Sequence, residues 1–545
     1  MVYVTPDTAA AATPRRARAL WRPAAAGLAA ALAGLGLAEL TAAWIAPGAS
    51  PVLTVGALVI DIVPPGVKEL VIGLFGTADK FVLIVTIVLV LAVVAALAGI
   101  LESRRPPFGR LLVVLIGAIA LFAALSRSSA STLDAVPAVV AMGVAAIALT
   151  FLTTRLPILR ATESTAATRD GALKPGAPFD TSDRAETPGP DRRRFLVYTS
   201  VTAGIGLLAL VGGQLSAAAT RAADAARALF TLPAASVRQA AIPAGASLDV
   251  AGITPLITPN ADFYRIDTAL SVPRIDPTTW RLRVTGMVEN EVEIDFAELL
   301  ALPLEESMTT LACVSNYVGG DLIGNATWLG YPIRELLARA TPTSGADMVL
   351  STSQDGFTAG TPIEALTDGR NAILAVGMNG EPLPLEHGYP VRMVVPGLYG
   401  YVSATKWVVE LKLTRFDQEQ GYWTPRGWSE LGPVKLSSRV DVPRDGTSVP
   451  AGSVVIAGVA WSQHVGVSSV SVQIDDGPWK DATLADAISV DTWRQWAYTW
   501  SDATIGNHTV KVRATDAEGL VQTSATADAA PDGATGLHEI SVSVS

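Results

Sequence analysis

Residues 309–337 read TTLACVSNYVGGDLIGNATWLGYPIRELL and hold Cys313, the single cysteine of a 545-residue chain. After the cysteine the sequence turns polar and loop-like, through Ser315, Asn316, Tyr317, Gly319, Gly320 and Asp321. Residues 331–340 then place apolar side chains at helical spacing, with Pro332 near the start. A lone cysteine in a soluble domain has a bland reading as a buried small hydrophobe. It also has a chemical one. A free thiol exported to an oxidising compartment is a liability unless it is buried or coordinated. Backbone near glycine can approach a ligand closely, and hydroxyl and amide groups can bind one.

Outward from this stretch, residues 242–432 mix strands and helices. Residues 279–296 alternate as strands do, 296–300 read as a short helix, and 346–363 read as strand, Asp355-Gly356 turn, strand. This predicts an α+β domain. From 435 to 545 the pattern is almost purely β, with alternating runs at 453–461, 468–474, 493–500, 508–514 and 538–544. Their spacing predicts a seven-stranded all-β sandwich of immunoglobulin type. Trp461, Trp479, Trp493, Trp496 and Trp500 read as core or interface aromatics, and Gln463 and His464 as a solvated loop pair.

Toward the N-terminus the composition changes, because the first ~215 residues are dominated by Ala, Leu, Val and Ile. Crossing ~30 Å of hydrocarbon takes about 20 apolar residues. Residues 24–46, 81–101, 111–125, 135–152 and 195–211 meet that need, which predicts all-α transmembrane helices, four within 1–160 and a fifth within 192–215. Residues 52–75 are apolar but interrupted by Asp61, Pro64, Pro65, Lys68 and Glu69, and read as an interfacial or re-entrant loop. Basic residues cluster before the first span, between the second and third, and between the fourth and fifth. Five spans put all of these on one side, giving a cytoplasmic N-terminus and an extracytoplasmic domain after ~215. Residues 161–191 read as a disordered cytoplasmic linker. Arg192, Arg193, Phe195 and Leu196 resemble an internal twin-arginine export signal, which would carry a folded domain; the alternative is a plain positive stop before a membrane span.

The formal net charge of −10 leaves no basic stripe for a nucleic-acid partner. One cysteine excludes an internal disulfide and a cysteine-rich cluster. The four histidines (His387, His464, His508 and His538) all lie outside the hydrophobic segments, so this chain cannot supply both ligands of a membrane haem.

Three ordered blocks resemble the sulfite oxidase family of molybdopterin enzymes: Leu311-Ala-Cys313-Val-Ser-Asn316 followed by Ile323-Gly-Asn-Ala-Thr-Trp328-Leu-Gly330; HGYPVRMVVPGLYGYVSATKWV over 387–408; and NADFYRID over 260–267. The resemblance spans roughly 255–545 and implies a molybdopterin-binding domain followed by an immunoglobulin-like dimerisation domain. It implies a molybdenum–molybdopterin cofactor with Cys313 as the protein ligand, consistent with the metal's preference for soft sulfur. By the same resemblance Asn260, Phe263 and Tyr264 line the pterin, and His387 and Arg392 bind it. Lys406 adds charge and Ser403 and Thr405 hydroxyls for its phosphate, while Ser353 is placed only by its position before a turn. Simple structural roles remain open for each: Arg392 as an ion pair, His387 as a turn residue, Phe263 as core. Arg265 matches an arginine of the family's anion site. Tyr317 and Val318 stand where animal and plant sulfite oxidases carry paired arginines, and the expected catalytic tyrosine falls around Gly427 and Trp428. Sulfite is therefore not the implied substrate by default.

The function implied is two-electron oxygen-atom transfer on a small oxyanion or an S- or N-oxide. No second redox ligand set exists in the chain, so electrons would pass to a separate cytochrome or quinone-linked partner. A homodimer through the C-terminal domain follows from the resemblance alone. Two rivals stand beside it: a non-catalytic cell-surface binding protein displaying an immunoglobulin-like module, and a cofactor-binding relic without turnover.

Overall fold

The structure, a computed structural model, describes residues 15–46, 48–64, 78–127, 130–154, 192–215 and 230–545, with isolated positions between 67 and 75 and at 227 and 229. It divides into two compact units, Met1–Ala218 and Ala219–Ser545.

The first unit is helical. Its described helices are α1 (Arg15–Ile45), α2 (Pro51–Ile62), α3 (Asp79–Arg104), α4 (Phe108–Leu125), α5 (Ala135–Thr153) and α6 (Arg192–Leu215). Five stretches are long and apolar enough to cross a membrane: Leu20–Ile45, Asp79–Arg104, Phe108–Leu125, Thr132–Thr153 and Arg194–Gly213. They coincide with the five stretches read from the sequence. Helix α1 packs against α3, α5 and α6, and its inward face is small, with Ala26, Ala29, Ala30 and Ala33 buried. The outward faces carry Phe81, Leu89, Phe122 and Leu208, all exposed. A bundle that turns its large apolar side chains outward matches hydrocarbon better than water. The interrupted segment expected as a loop begins instead as α2, capped by Ser50, whose hydroxyl accepts from Leu53 N. Polar groups of this unit pair off: Arg110 with Glu102, Arg127 with Asp61, and the Ser50 hydroxyl donating to Glu39. The linker expected at 161–191 lies outside the described residues. The Arg192-Arg193 pair opens α6.

The second unit has two parts. In the first, one sheet runs β2-β1-β10-β5-β6 and another β3-β4-β7-β8, with β9 on β7. Their strands are β1 (Arg281–Gly286), β2 (Val292–Asp295), β3 (Glu305–Ala312), β4 (Ile323–Pro332), β5 (Met348–Ser353), β6 (Thr358–Pro362), β7 (Ile373–Met378), β8 (Glu381–Pro382), β9 (Arg392–Val394) and β10 (Val408–Thr414). The short helix after β2, Phe296–Ala301, starts with a reciprocal capping box between Asp295 and Glu298. The helix Ile333–Ala340 buries Ile333, Leu336, Leu337 and Ala340. Leu282, Leu336, Val376 and Leu411 meet in one core fed by both sheets.

The second part pairs a sheet β11-β13-β17-β16 with a sheet β12-β19-β18-β14-β15. These strands are β11 (Ser437–Val442), β12 (Thr447–Val449), β13 (Gly452–Trp461), β14 (Val467–Ile474), β15 (Lys480–Asp481), β16 (Thr483–Leu484), β17 (Arg494–Ala503), β18 (Gly506–Asp516) and β19 (His538–Val544). There are nine strands where seven were expected, the difference being the two-residue edges β15 and β16. Ile456 and Trp496 of one sheet pack with Val472 and Val512 of the other. Trp461, Trp493, Trp496 and Trp500 are buried as read, whereas Trp479 is half-buried beneath the Arg513 guanidinium.

The two parts share structure that the sequence did not announce. Ala312, Val314 and Ile323 pack with Val459, Trp461 and Trp493. Residues 245–254, within the stretch 242–432 expected as α+β, lie on the second part: Leu248 N donates to Gln495 Oε1, Asp486 N to Gly245 O, and Thr254 N to Asp441 Oδ2. Gln463 is buried, not solvated, and its amide donates to Thr310 O; His464 pairs with Asp491 at 3.0 Å.

Replacing the fully buried Leu282 with Ala should cost the second unit about 2–5 kcal/mol. Leu431→Ala, at a half-exposed site, should cost within about 0.5 kcal/mol. Urea denaturation of the purified chain compares them, and equal losses would contradict the placement of the core.

Candidate active site

Strand β3 ends at Ala312, and its partner β4 resumes directly opposite at Ile323. The ten residues between form a loop closed on itself. Cys313 N donates to Leu322 O at 2.9 Å, Asn316 N to Cys313 O at 3.1 Å, and Leu322 N to Asn316 Oδ1 at 2.9 Å. Gly319 takes φ +80, and a β-carbon there would collide with the His538 ring. The loop is also gripped from the C-terminal sheets, where Arg439 donates to Gly320 O at 2.6 Å and to Thr254 Oγ1 at 2.9 Å, with Asp441 fixing its Nε.

The thiol of Cys313 lines a cavity of about 140 Å³. Burial pushes this thiol above its ordinary pKa, against the opposing pull of hydrogen bonds with Ser315. A thiol kept neutral this way becomes a thiolate when a metal displaces the proton.

Opposing the sulfur chemistry is a set of buried cations. Arg392, on β9, is 5 % exposed; its Nη1 donates to His387 O at 3.2 Å and its Nε to Met393 O at 3.3 Å. The guanidinium lies over the Trp328 ring, 5.0 Å from the centroid. Among the described residues no carboxylate pairs with it. Burial holds it down to about 10. Lys406 donates to Asp267 Oδ2 at 2.7 Å and to Glu386 O at 3.0 Å, and burial brings it down to about 8 even with Asp267 beside it. Gly388 lets these cations come together. It takes φ +110, and a β-carbon would stand 2.9 Å from Arg392 Cβ and 3.1 Å from Lys406 Cβ.

His387 closes the 3₁₀ turn Leu385–His387. Its Nε2 lies 3.2 Å from Asn260 O and its ring meets Phe263 edge-on at 5.5 Å. Burial first, then the charges of Arg392 and Lys406, depress it to about 4, so it is neutral at pH 7. A neutral ring facing a carbonyl through Nε2 carries its proton there, which leaves Nδ1 as an acceptor.

Of the residues anticipated from sequence, Cys313, Phe263, Tyr264, Ser353 and His387 line the cavity together with Arg392 and Lys406. Asn260 does not; it braces the wall, bonding Asn379 through its side chain and His387 through its carbonyl. Ser403 and Thr405 turn their hydroxyls into the protein, to Tyr399 O at 2.9 Å and Ser351 Oγ at 2.7 Å. They offer the cavity no donor. Tyr317 is 64 % exposed outside the lining, and Arg265 is turned onto Asp267 at 3.0 Å. Asp267 and the rings of Phe357, Tyr401, Trp407 and Trp423 line the cavity without having been singled out. Asp267 sits two positions after Arg265, so its signal was the salt-bridge spacing itself. Trp428 also lines it, where a tyrosine was sought.

The family model described as "Oxidoreductase molybdopterin binding domain" matches residues 269–423, which contain Cys313, His387, Arg392 and Lys406. The class is thus a molybdopterin-dependent oxidoreductase. Mitochondrial sulfite oxidase of Rattus norvegicus is 30% identical over 271 residues, 42% of this chain and 49% of that protein. The protein-methionine-sulfoxide reductase catalytic subunit MsrP of Burkholderia mallei is 30% identical over 282 residues, 46% of this chain and 78% of that protein. The sulfane dehydrogenase SoxCD of Paracoccus pantotrophus aligns structurally with TM-score 0.45 at 23% identity, over 50% of this chain and 76% of that one. This chain spans about half the length of the rat sulfite oxidase. It belongs to the sulfite oxidase family of molybdopterin-dependent oxidoreductases, whose molybdopterin cofactor its matching domain binds.

The depressed His387 makes a measurable prediction for the cofactor-free chain. A base whose folded pKa (about 4) lies below its ordinary 6.5 contributes stability that is complete above the ordinary value and lost as pH falls toward the folded one. Wild type should lose about 2 kcal/mol more than His387→Gln between pH 7 and pH 5. Urea titrations at the two pH values test it; parallel losses would contradict the burial of this ring.

Proposed function

We propose that this chain is a membrane-anchored enzyme whose catalytic domain lies on the extracytoplasmic side and performs two-electron oxygen-atom transfer on a small oxyanion or an S- or N-oxide. The observation that carries the reading is the thiol of Cys313 facing a cavity cornered by Arg392, Lys406 and neutral His387. The fit to the cofactor is chemical. A buried guanidinium without a carboxylate needs an anion, which the pterin's phosphate and dithiolene provide. Cys313 supplies a soft thiolate for the metal.

In this reading Cys313 holds molybdenum, Arg392 and Lys406 hold the anionic groups, and Phe263 and Tyr264, stacked at 5.3 Å and 21°, lie along the pterin. When bound, the cofactor supplies a two-electron redox centre. The protein keeps the thiol buried, keeps His387 unprotonated with Nδ1 free to accept, and lines the cavity with Trp423 and Trp428, 6.2 Å apart. Electrons pass to a separate redox protein, a cytochrome or a quinone-linked partner.

The five apolar helices support the anchor, and the basic residues between them, counted by the positive-inside rule, support the sidedness. The twin-arginine-like pair at the head of α6 supports export of a folded, loaded domain. We read the C-terminal sheets as an immunoglobulin-type sandwich and as the surface of a homodimer. Seven strands of three or more residues, divided between two sheets over one core, favour the sandwich.

Natively purified protein should contain about one molybdenum per chain by elemental analysis. Cys313→Ser should retain the fold by circular dichroism while losing turnover with a dye as electron donor or acceptor. Metal-free and pterin-free native protein would overturn the reading.

A further inference from the structure

Strands β7 and β8 turn through Asn379-Gly380, with Met378 opposite Glu381. Both turn residues take left-handed backbone, φ +51 and φ +80, as tight two-residue hairpins require. Glycine would serve at 379 as well as asparagine does, so the turn alone does not call for the side chain. That side chain is fully committed all the same. Its Oδ1 accepts from Thr327 N at 2.9 Å, while Nδ2 donates to Thr258 O at 2.9 Å and to Asn260 Oδ1 at 2.8 Å. One acceptor and both donors of the amide are thus in use.

What these bonds hold is the segment 258–260. Thr258 is also tied to β4, since its N donates to Asn325 O at 2.8 Å and its Oγ1 accepts from Asn325 N at 3.1 Å. Asn260 returns a bond to the hairpin, from Nδ2 to Met378 O at 3.3 Å. Gripped in both directions, Asn260 keeps its carbonyl 3.2 Å from His387 Nε2. That carbonyl decides which ring nitrogen of the neutral histidine carries the proton. Arg392 and Lys406, whose charges reach the ring, can only donate, so Nδ1 is an acceptor set among donors. A ring turned over would offer a third donor in its place.

We propose that Asn379 is a positioning residue for the cofactor site: through the Asn260 carbonyl it keeps the His387 proton on Nε2 and so keeps Nδ1 an acceptor toward the cofactor. The inference rests on the reading of this cavity as the cofactor's and adds the group that sets the histidine tautomer. Asn379 is not among the residues that line the cavity. It acts through Asn260, and the amide of residue 379 matters here although the turn could do without it.

The test uses full-length, cofactor-loaded protein labelled with ¹⁵N at its histidine rings and followed by NMR. The chain has four histidines, so His387→Gln identifies the His387 signals by their loss. Wild type should show a protonated Nε2 and a bare Nδ1. Asn379→Gly keeps the turn and removes the amide; it should mix the two tautomers and speed molybdenum loss on dialysis by about tenfold. A proton on Nδ1 in wild type overturns the proposal, as do ring signals or a rate of molybdenum loss that stay at wild-type values in Asn379→Gly. Should that variant fail to fold, Asn260→Ala decides by the same two measurements, because it keeps the carbonyl and deletes the amide that Asn379 grips. Molybdenum in freshly purified wild type separates the two levels. Metal-free wild type refutes the underlying reading, whereas loaded wild type with an unresponsive variant refutes only this inference.

Discussion

Removing a guanidinium from water without a carboxylate beside it costs several kcal/mol, and the catalytic part of this protein is organised around one such group. Arg392 is held by two backbone carbonyls and the face of Trp328, which fixes its direction without neutralising its charge. Around it the chain holds His387 neutral and places Lys406 close by, and it uses glycine at 388 where any side chain would force the cations apart. A positive interior of this kind is stable in use only with an anion inside it. The cofactor of the family is such an anion, which is the ground for the placement proposed above.

The thiol opposite those cations is positioned from further away. Ala312 and Val314, the residues flanking Cys313, pack into a cluster shared with Trp461 and Trp493 of the C-terminal sheets. Arg439 and His538 of those sheets hold the loop that follows. The β part is therefore a structural component of the loop that carries Cys313, whatever else its surface does.

Much of this was legible in sequence because it rests on local rules. The apolar stretches are set by length and composition, the helix 296–301 by its Asp295–Glu298 box, and the strands 348–353 and 358–362 by the turn at Asp355-Gly356. The two-residue strands β15 and β16 were not legible, since pairing at an edge depends on a neighbour and not on pattern. At the site, sequence motifs brought Cys313, His387, Arg392 and Lys406 to one cavity. They did not show where the Ser403 and Thr405 hydroxyls point, because a hydroxyl's direction follows from the turn it occupies, here toward Tyr399 O and Ser351. The motif names the guanidinium of Arg265 but not its partner, Asp267, two positions on. Gln463 was read as solvated because its burial is made by Thr310, more than 150 positions distant in the chain.

Residues 245–254 have a consequence for biosynthesis. Leu248 finds its acceptor on Gln495, 247 positions later, and Thr254 finds its own on Asp441. A ribosome emits this strap long before the surface it lies on exists. The strap therefore settles only after residues as far along as Gln495 have emerged. The loop that follows Cys313 is held by Arg439 of the same sheets, so it too takes its final shape late in synthesis.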